Sequence, residues 1–331
     1  FYNCSRFHKA VITSAKSNPT SKWKPLPLRT VEFQKKASKA LRLSSDKLMS
    51  IAESLYSQGY ISYPRTETDQ FDSKFDHRQL IEIQSNHPVW GSYAGELLNN
   101  NRYGPPRLGK NNDKAHPPIH PTKAGADLTG DEGKVYEFIV RSYLATVSQD
   151  AKGEKTVVKA RIGPEGFHAS GIVVTERNYL DVYHYEFWNE KPMAKFNEGG
   201  EYIPSELLLE SGTTTCPRLL SESDLIGTMD KNGIGTDATI HEHIKKILER
   251  NYVKKQRDSR FIPTILGLSI VQGYDQIGLE YSLTKPKIRA QMEADLNKIC
   301  DGQLQPVQVV RQAIEMYRSA FGQAKSHINI L

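Results

Sequence analysis

The spacing of apolar residues changes period twice along this chain, and those two changes set its fold class. Leu48, Ile51, Ala52, Leu55 and Tyr56 recur at helical spacing, with Ser45 placed to cap the helix and Gly59 to stop it. Val135, Phe138, Ile139 and Ser142 repeat that spacing within residues 133–146. Between residues 156 and 209 the texture turns to β-branched and aromatic runs, at 156–162, 171–175, 182–188 and 202–209, separated by Gly, Asn and Pro. From Ser221 the helical period returns, over 221–229 and then over 236–250, where Ile240, Ile244, Ile247 and Leu248 share a stripe. The expected class is α+β and multidomain, with an antiparallel β unit between two helical ones.

The order within the last unit is more specific. Helix, the Gly233-Ile234-Gly235 turn, helix, and a hairpin over 251–263 make the winged-helix order. A similar order runs from a helix near Thr30 through a second from Ser45 to a short strand at 60–63. Two winged-helix-like units are expected on this pattern, against the plainer alternative of two unrelated helical hairpins. The expected boundaries are residues 1–27 for the first strand and connector of the β unit, 28–152 for the first helical unit, 153–215 for the β unit and 216–331 for the second helical unit. Pro105, Pro106, Pro117, Pro118 and Pro121 force the stretch between them into loop.

Composition removes several function classes. A 331-residue chain has room for two or three domains, and its net charge of +6 suits a nucleic-acid partner without requiring one. Cys4, Cys216 and Cys300 are too few and too scattered for a disulfide framework or a four-cysteine zinc site, which fits a reducing intracellular setting. No apolar run approaches the roughly 18 residues of a membrane span. The start at Phe1, with neither Met nor an apolar signal stretch, reads as an excised fragment. No Gly-x-x-x-x-Gly-Lys-Ser/Thr pattern occurs, so no Walker-type ATP site is expected.

Three stretches carry chemistry. Ser62-Tyr63-Pro64-Arg65-Thr66-Glu67-Thr68 sets a phenol, a guanidinium and a carboxylate within five residues. A phenol attacking phosphorus must lose a proton, and a neighbouring cation favours the phenolate while neutralising phosphate charge. Arg65 is expected beside the Tyr63 hydroxyl, and its fork matches two phosphate oxygens. Glu67 either orients Arg65, takes part in proton transfer or forms a surface ion pair, and a tyrosine in such a strand is also an ordinary packing residue. The second stretch is Asp113-Lys114-Ala115-His116-Pro117-Pro118-Ile119-His120-Pro121. Its prolines forbid the helix on which two histidines four apart would bind a metal, but a rigid loop can present an imidazole to a phosphate oxygen. Arg107, Lys110, Lys114 and Lys123 surround it, as they would any solvated loop. In the third, Gly233-Ile234-Gly235-Thr236-Asp237-Ala238-Thr239, amides at a helix start beside two threonines offer a phosphate seat; plain capping by Thr236 or Asp237 is the alternative.

Taken together, in this order and spacing, the three stretches resemble the type IA DNA topoisomerases, most closely the eukaryotic topoisomerase III group, over the whole chain. The resemblance implies a toroidal fold with a tyrosine-bearing winged-helix domain, a β gate and a second winged-helix domain. It implies that Tyr63 attacks single-stranded DNA to form a transient 5′-phosphotyrosine, that Arg65, His116 and Glu67 assist, and that Arg65, Thr66, Lys114, His116, His120, Gly235, Thr236, Asp237 and Thr239 contact DNA. Strand passage would then proceed without ATP. A RecQ-family helicase, an OB-fold partner and a nuclear location are implied in the same way. The family's Mg²⁺ sits on a TOPRIM domain with a glutamate and an Asp-x-Asp motif. Nothing before Tyr63 carries that motif, so this chain is expected to be the gate and tyrosine half, binding no metal and turning over little DNA alone. No cysteine quartet of the kind that holds a zinc ribbon is present, so zinc is not expected. A different class of reading is a non-catalytic winged-helix module in which Tyr63 only stacks on a base.

Overall fold

The computed structural model describes residues 9–99, 102–236, 239–279 and 281–330. Its larger sheet has the order β3-β2-β1-β4, built from β1 (Ala10–Lys22), β2 (Ala151–Ile162), β3 (Glu165–Glu176) and β4 (Glu201–Tyr202), with each neighbouring pair antiparallel. The mixed α/β class with antiparallel sheets is the one the spacing predicts. Two of the expected strands differ. Residues 182–188 form no strand; a 3₁₀ turn at Asn178–Asp181 leads into turns, and Tyr183 and Tyr185 pack on Phe138 with ring centroids 6.3 and 5.0 Å away. Their aromatic character serves a helix-packing surface, which composition alone does not distinguish from a sheet. In 202–209 only Tyr202 pairs, and Leu208 and Leu209 are exposed.

β1 also runs further than its apolar start suggests, through ten polar or small residues including Pro19. The β2 ladder supplies the hydrogen bonds that order this half. β4 pairs only with Ala10 and Val11, so at Pro19 β1 is an edge strand, where a missing N–H is tolerated.

The helical body comprises α1 (Thr30–Leu41), α2 (Ser45–Ser57), α3 (His77–Ser85), α4 (Gly91–Asn99) and α5 (Gly130–Thr146). Ser44 caps α2 by accepting from the Lys47 amide, one residue before the position expected, and Gly59 follows its end at φ 74°. Phe33, Leu48, Leu55, Ile61, Phe138 and Ile139 are fully buried together, each contributing on the order of 1.5–3 kcal/mol. A second core joins Val31 of α1 to α6 (Glu222–Lys231), α7 (Ile240–Glu249) and the hairpin β5 (Val253–Lys255)–β6 (Phe261–Pro263), through Ile226, Met229, Ile240, Ile244 and Phe261. The buried Glu222 carboxylate clamps the two bodies, accepting from Ser45 N and Oγ at 2.5 and 2.6 Å and pairing with Lys255. The helix, helix, hairpin order after Ser221 is thus as the pattern predicts. Helices α8 (Ile265–Ile277), α9 (Pro286–Cys300) and α10 (Pro306–Ser326) follow, the last two opened by Pro in the first turn.

Where β1 leaves the sheet, Lys24 is buried and its Nζ donates to the carbonyls of Gly104 (2.9 Å), Pro105 (2.8 Å) and Ser148. Burial lowers its pKa to about 8, partly opposed by Asp150, which accepts from the Lys24 amide at 2.9 Å. Lys24→Ala is expected to cost about 3 kcal/mol, because three carbonyls lose their donor in a site closed to water. Denaturant titration checks this; a loss below about 0.5 kcal/mol would show that the carbonyls find other partners.

Candidate active site

Residues 60–63 were expected as a strand. They form only an isolated bridge, Ile61↔Pro121, flanked by bonds from Ser62 N to His120 O (2.9 Å) and Thr122 N to Tyr60 O (2.8 Å). Pro64 on one side and Pro121 on the other remove the donors a longer ladder needs. Short as it is, this pairing lays the tyrosine segment against the histidine loop across nearly sixty residues of chain.

Tyr63 is half-buried, its ring 5.2 Å from that of Tyr56, edge to face, and 4.7 Å from that of His116. Arg65 gives Nε to Glu53 Oε1 at 2.7 Å, and its Nη2 bonds the same oxygen. Glu53 and Tyr56 lie three apart on α2 and so share a face, which makes one helix the backing for both the phenol and the guanidinium. Glu67 is engaged elsewhere, accepting from Arg29 Nη1 at 2.9 Å, while Arg29 Nη2 reaches Asp230 of α6 at the same distance. Of the roles left open for Glu67, this geometry serves the ion pair.

The His116 loop is fastened by Asp113. Its Oδ1 accepts from the amides of Ala115 and His116, both at 2.8 Å, and its Oδ2 from Thr66 Oγ1 at 3.0 Å. Asp69 returns the tie in the other direction, accepting from Asn111 N (2.8 Å) and Nδ2 (2.7 Å), and only glycine fits at 109, because a Cβ there would lie 1.9 Å from Asp69 Oδ1. Burial pushes the Asp113 carboxyl up, but the His116 and Ala115 amides and the Thr68 and Thr66 hydroxyls outweigh it and hold the pKa at about 2. Because the folded value lies below the ordinary 3.8, this stabilisation is complete above about pH 4 and is lost as pH falls through about 2. Asp113→Ala is expected to loosen the loop by about 2 kcal/mol. Amide exchange at Ala115 and His116 checks this, and wild-type protection in the variant would contradict it.

His116 stays accessible, with its side chain 42% exposed and Nδ1 3.8 Å from Asp113 Oδ2. Lys114 is exposed in the left-handed region, at φ 59°. Two residues expected to touch DNA are instead interior. His120 is 6% exposed, boxed by Phe75 at 5.1 Å and Phe71 at 5.9 Å, with Nδ1 2.7 Å from Pro118 O; burial lowers its pKa. Thr66 is fully buried against Asp113 and Thr30. Both offer no face to a polymer; they hold the loop. Arg107 and Lys123 are also scaffold, the first stacked 4.7 Å over Trp23 and donating to Lys24 O, the second donating to Gln58 O at 2.7 Å.

The glycine turn begins as expected and ends later. Gly233 and Gly235 take φ of 64° and 79°, and a Cβ on Gly235 would come within 2.9 Å of Ile240 Cγ1. The Thr236 amide donates to Thr239 Oγ1 at 2.9 Å, and α7 starts at Ile240 with Thr239 as its N-cap. Asp237 lies outside the described residues. Among the described residues, no three or more His, Cys, Asp or Glu side chains gather to hold a metal ion.

Glu53, Asp69 and Asp113 are the site residues that the sequence reading passes over. Asp-Lys-Ala-His was a signal for the last, since an Asp that caps its own following amides nucleates such a turn.

A family model described as DNA topoisomerase matches residues 1–311. DNA topoisomerase 3-alpha of Mus musculus is 47% identical over 322 residues, covering 97% of this chain and 32% of the relative, and that of Homo sapiens gives the same figures. DNA topoisomerase 3 of Schizosaccharomyces pombe is 43% identical over 340 residues, 99% of this chain and 54% of the relative. The chain thus spans about a third of the mouse and human proteins. Full-length topoisomerase I from Thermotoga maritima superposes with a TM-score of 0.76 at 23% identity, over 96% of this chain and 53% of that one, a likeness of fold.

Proposed function

Since this chain belongs to the type IA DNA topoisomerase family, on its topoisomerase III side, we propose that Tyr63 cleaves and rejoins one strand of DNA. The observation that carries the proposal is the seating of the Tyr63 ring 4.7 Å from an accessible His116 that Asp113 locks in place. The phenolate oxygen attacks the phosphorus of a single-stranded phosphodiester, the O3′ leaves and takes up a proton, and the 5′ phosphate stays on the tyrosine. Attack by the free 3′ hydroxyl on that ester reverses the step with no net change in bonds, so no nucleotide is consumed. Arg65, aligned by Glu53, and His116 stabilise charge on the phosphate oxygens. Lys114, Gly235, Thr236 and Thr239 are the remaining candidates for backbone contacts, and Glu67 anchors the segment through Arg29. Asp237 stays a candidate on sequence alone.

The metal belongs to another part of the proposal. In the family reading Mg²⁺ is held by acidic residues that this chain does not supply, and no step assigned to the residues above runs through it. A RecQ-type helicase, an OB-fold partner and nuclear work on recombining DNA follow from the kinship with topoisomerase III and are proposals of the same kind. The stacking-only alternative is disfavoured, since it needs neither a locked histidine nor an arginine held by Glu53 on the helix that also backs the phenol.

Polarity of the adduct tests the reading. Full-length protein is mixed with Mg²⁺ and single-stranded DNA labelled at one end, then stopped with detergent. The 3′-labelled fragment should travel with the protein and the 5′-labelled fragment should be released; the reverse pattern would rule out the type IA assignment.

A further inference from the structure

We propose that one face of the large sheet is a second binding surface for DNA backbone, separate from the Tyr63 site. The register places Lys155, Lys16, Lys159 and Arg161 on a common face: Lys155 is opposite Asn18, Lys16 opposite Val157, Lys159 opposite Ser14 and Arg161 opposite Val11. On the other side β3 adds Ile172, Ser170, His168 and Gly166 to the same four rows. Directly paired residues of an antiparallel sheet point the same way and alternate along each strand, so these rows form one surface. All four cations are exposed, while Ile12, Val158 and Ile162 of the opposite face are buried.

Charge on this face is unbalanced. Across β1, β2 and β3 the four rows hold no Asp or Glu; the one carboxylate that β4 adds, Glu201 beside Val11, is paired with Lys9. Other lysines on or beside the sheet also have carboxylate partners, Lys22 with Glu186 and Lys152 with Glu176. Among the described residues, Lys16, Lys155, Lys159 and Arg161 are in no ion pair; Arg161 donates only to Gly163 O at 3.3 Å. Four like charges along a ribbon repel one another, and a polyanion removes that cost.

The arrangement selects nucleic acid over an acidic protein. Same-face positions recur about every 7 Å along a strand, so the cations form a file about 20 Å long, with Asn18, Ser14 and Ser170 hydroxyls and amides between them. That is a regular donor track suited to successive phosphates. The rows hold no Phe, Tyr, Trp or Met to anchor a protein interface. Binding through such a track reads charge and not sequence. Naming the polyanion as DNA rests on the proposed function; the track itself does not.

The test uses full-length protein with Lys16, Lys155, Lys159 and Arg161 all changed to Gln, and a fluorescent 30-nucleotide single strand titrated by anisotropy at several salt concentrations. The slope of log affinity against log salt should fall in magnitude by about 2 to 3, at about 0.7 per lost phosphate contact, with at least tenfold weaker binding at low salt. Lys159→Gln alone should lower it by about 0.7. Adduct formation on a short oligonucleotide should be unchanged. An unchanged slope, or weaker binding without a change of slope, overturns the second surface. A wild-type protein that forms no adduct but shows the slope difference would instead remove the Tyr63 reading and leave the track standing.

Discussion

Tyr63→Phe is expected to abolish the covalent adduct, with cleavage falling by at least about 10⁴-fold, as for loss of a nucleophile elsewhere. The substitution takes away one oxygen and keeps the ring, so the contacts with Tyr56 and His116 survive. Folding and single-strand binding should therefore match the wild type, and the loss should appear in the chemical step alone. That separation is what makes the variant informative. A packing residue would show the opposite, tolerating the loss of its hydroxyl without any effect on cleavage. The measurement is adduct formed per minute on labelled single-stranded DNA by full-length protein with Mg²⁺, and a rate near that of the wild type would remove Tyr63 from the mechanism.

Arg65→Ala is expected to slow cleavage by on the order of 10² to 10³, the loss seen when one preorganised donor to a developing oxyanion is removed. Charge on the phosphate oxygens rises as the phenolate attacks, and a guanidinium already aligned by Glu53 answers it without reorganising. The effect should fall on the rate more than on DNA retention. Arg65→Lys should recover only part of it, because an ammonium keeps the charge but loses the fork. Removing the Arg65–Glu53 pair should cost at most about 1 kcal/mol of stability, since Glu53 is 43% exposed. His116→Ala should act in the same direction and more mildly, within about tenfold. Single-turnover cleavage rates for the three proteins check the order, and an Arg65→Ala rate equal to the wild type would contradict it.

Much of this fold was legible because helices announce themselves by period. The α2 and α5 stripes, the α6–α7 pair and the β5–β6 hairpin stand where the spacing puts them, with α7 starting later than expected, at Ile240. The polar half of β1 does not announce itself, because its order comes from the β2 ladder and not from an apolar face of its own. Tyr183 and Tyr185 look like strand residues for a different reason: an aromatic that packs on a helix has the same composition as one that lines a sheet.

The site shows the same division. Tyr63 and His116 were visible as chemistry, and the structure brings their rings together. The interior fates of His120 and Thr66 were not visible, since the Phe71, Phe75 and Asp113 side chains that enclose them come from other parts of the sequence. Arg65 finds its carboxylate on α2, not two residues along the chain, because α2 presents Glu53 and Tyr56 side by side beneath the segment.

The central claim is the identity of the linked residue, and peptide mapping addresses it directly. Full-length protein is trapped on single-stranded DNA, digested with nuclease and protease, and the peptides are read by mass spectrometry. The residual nucleotide should be found on the peptide spanning residues 62–65, attached to the Tyr63 oxygen through its 5′ phosphate. A nucleotide on any other residue, or one joined through its 3′ phosphate, would contradict the account.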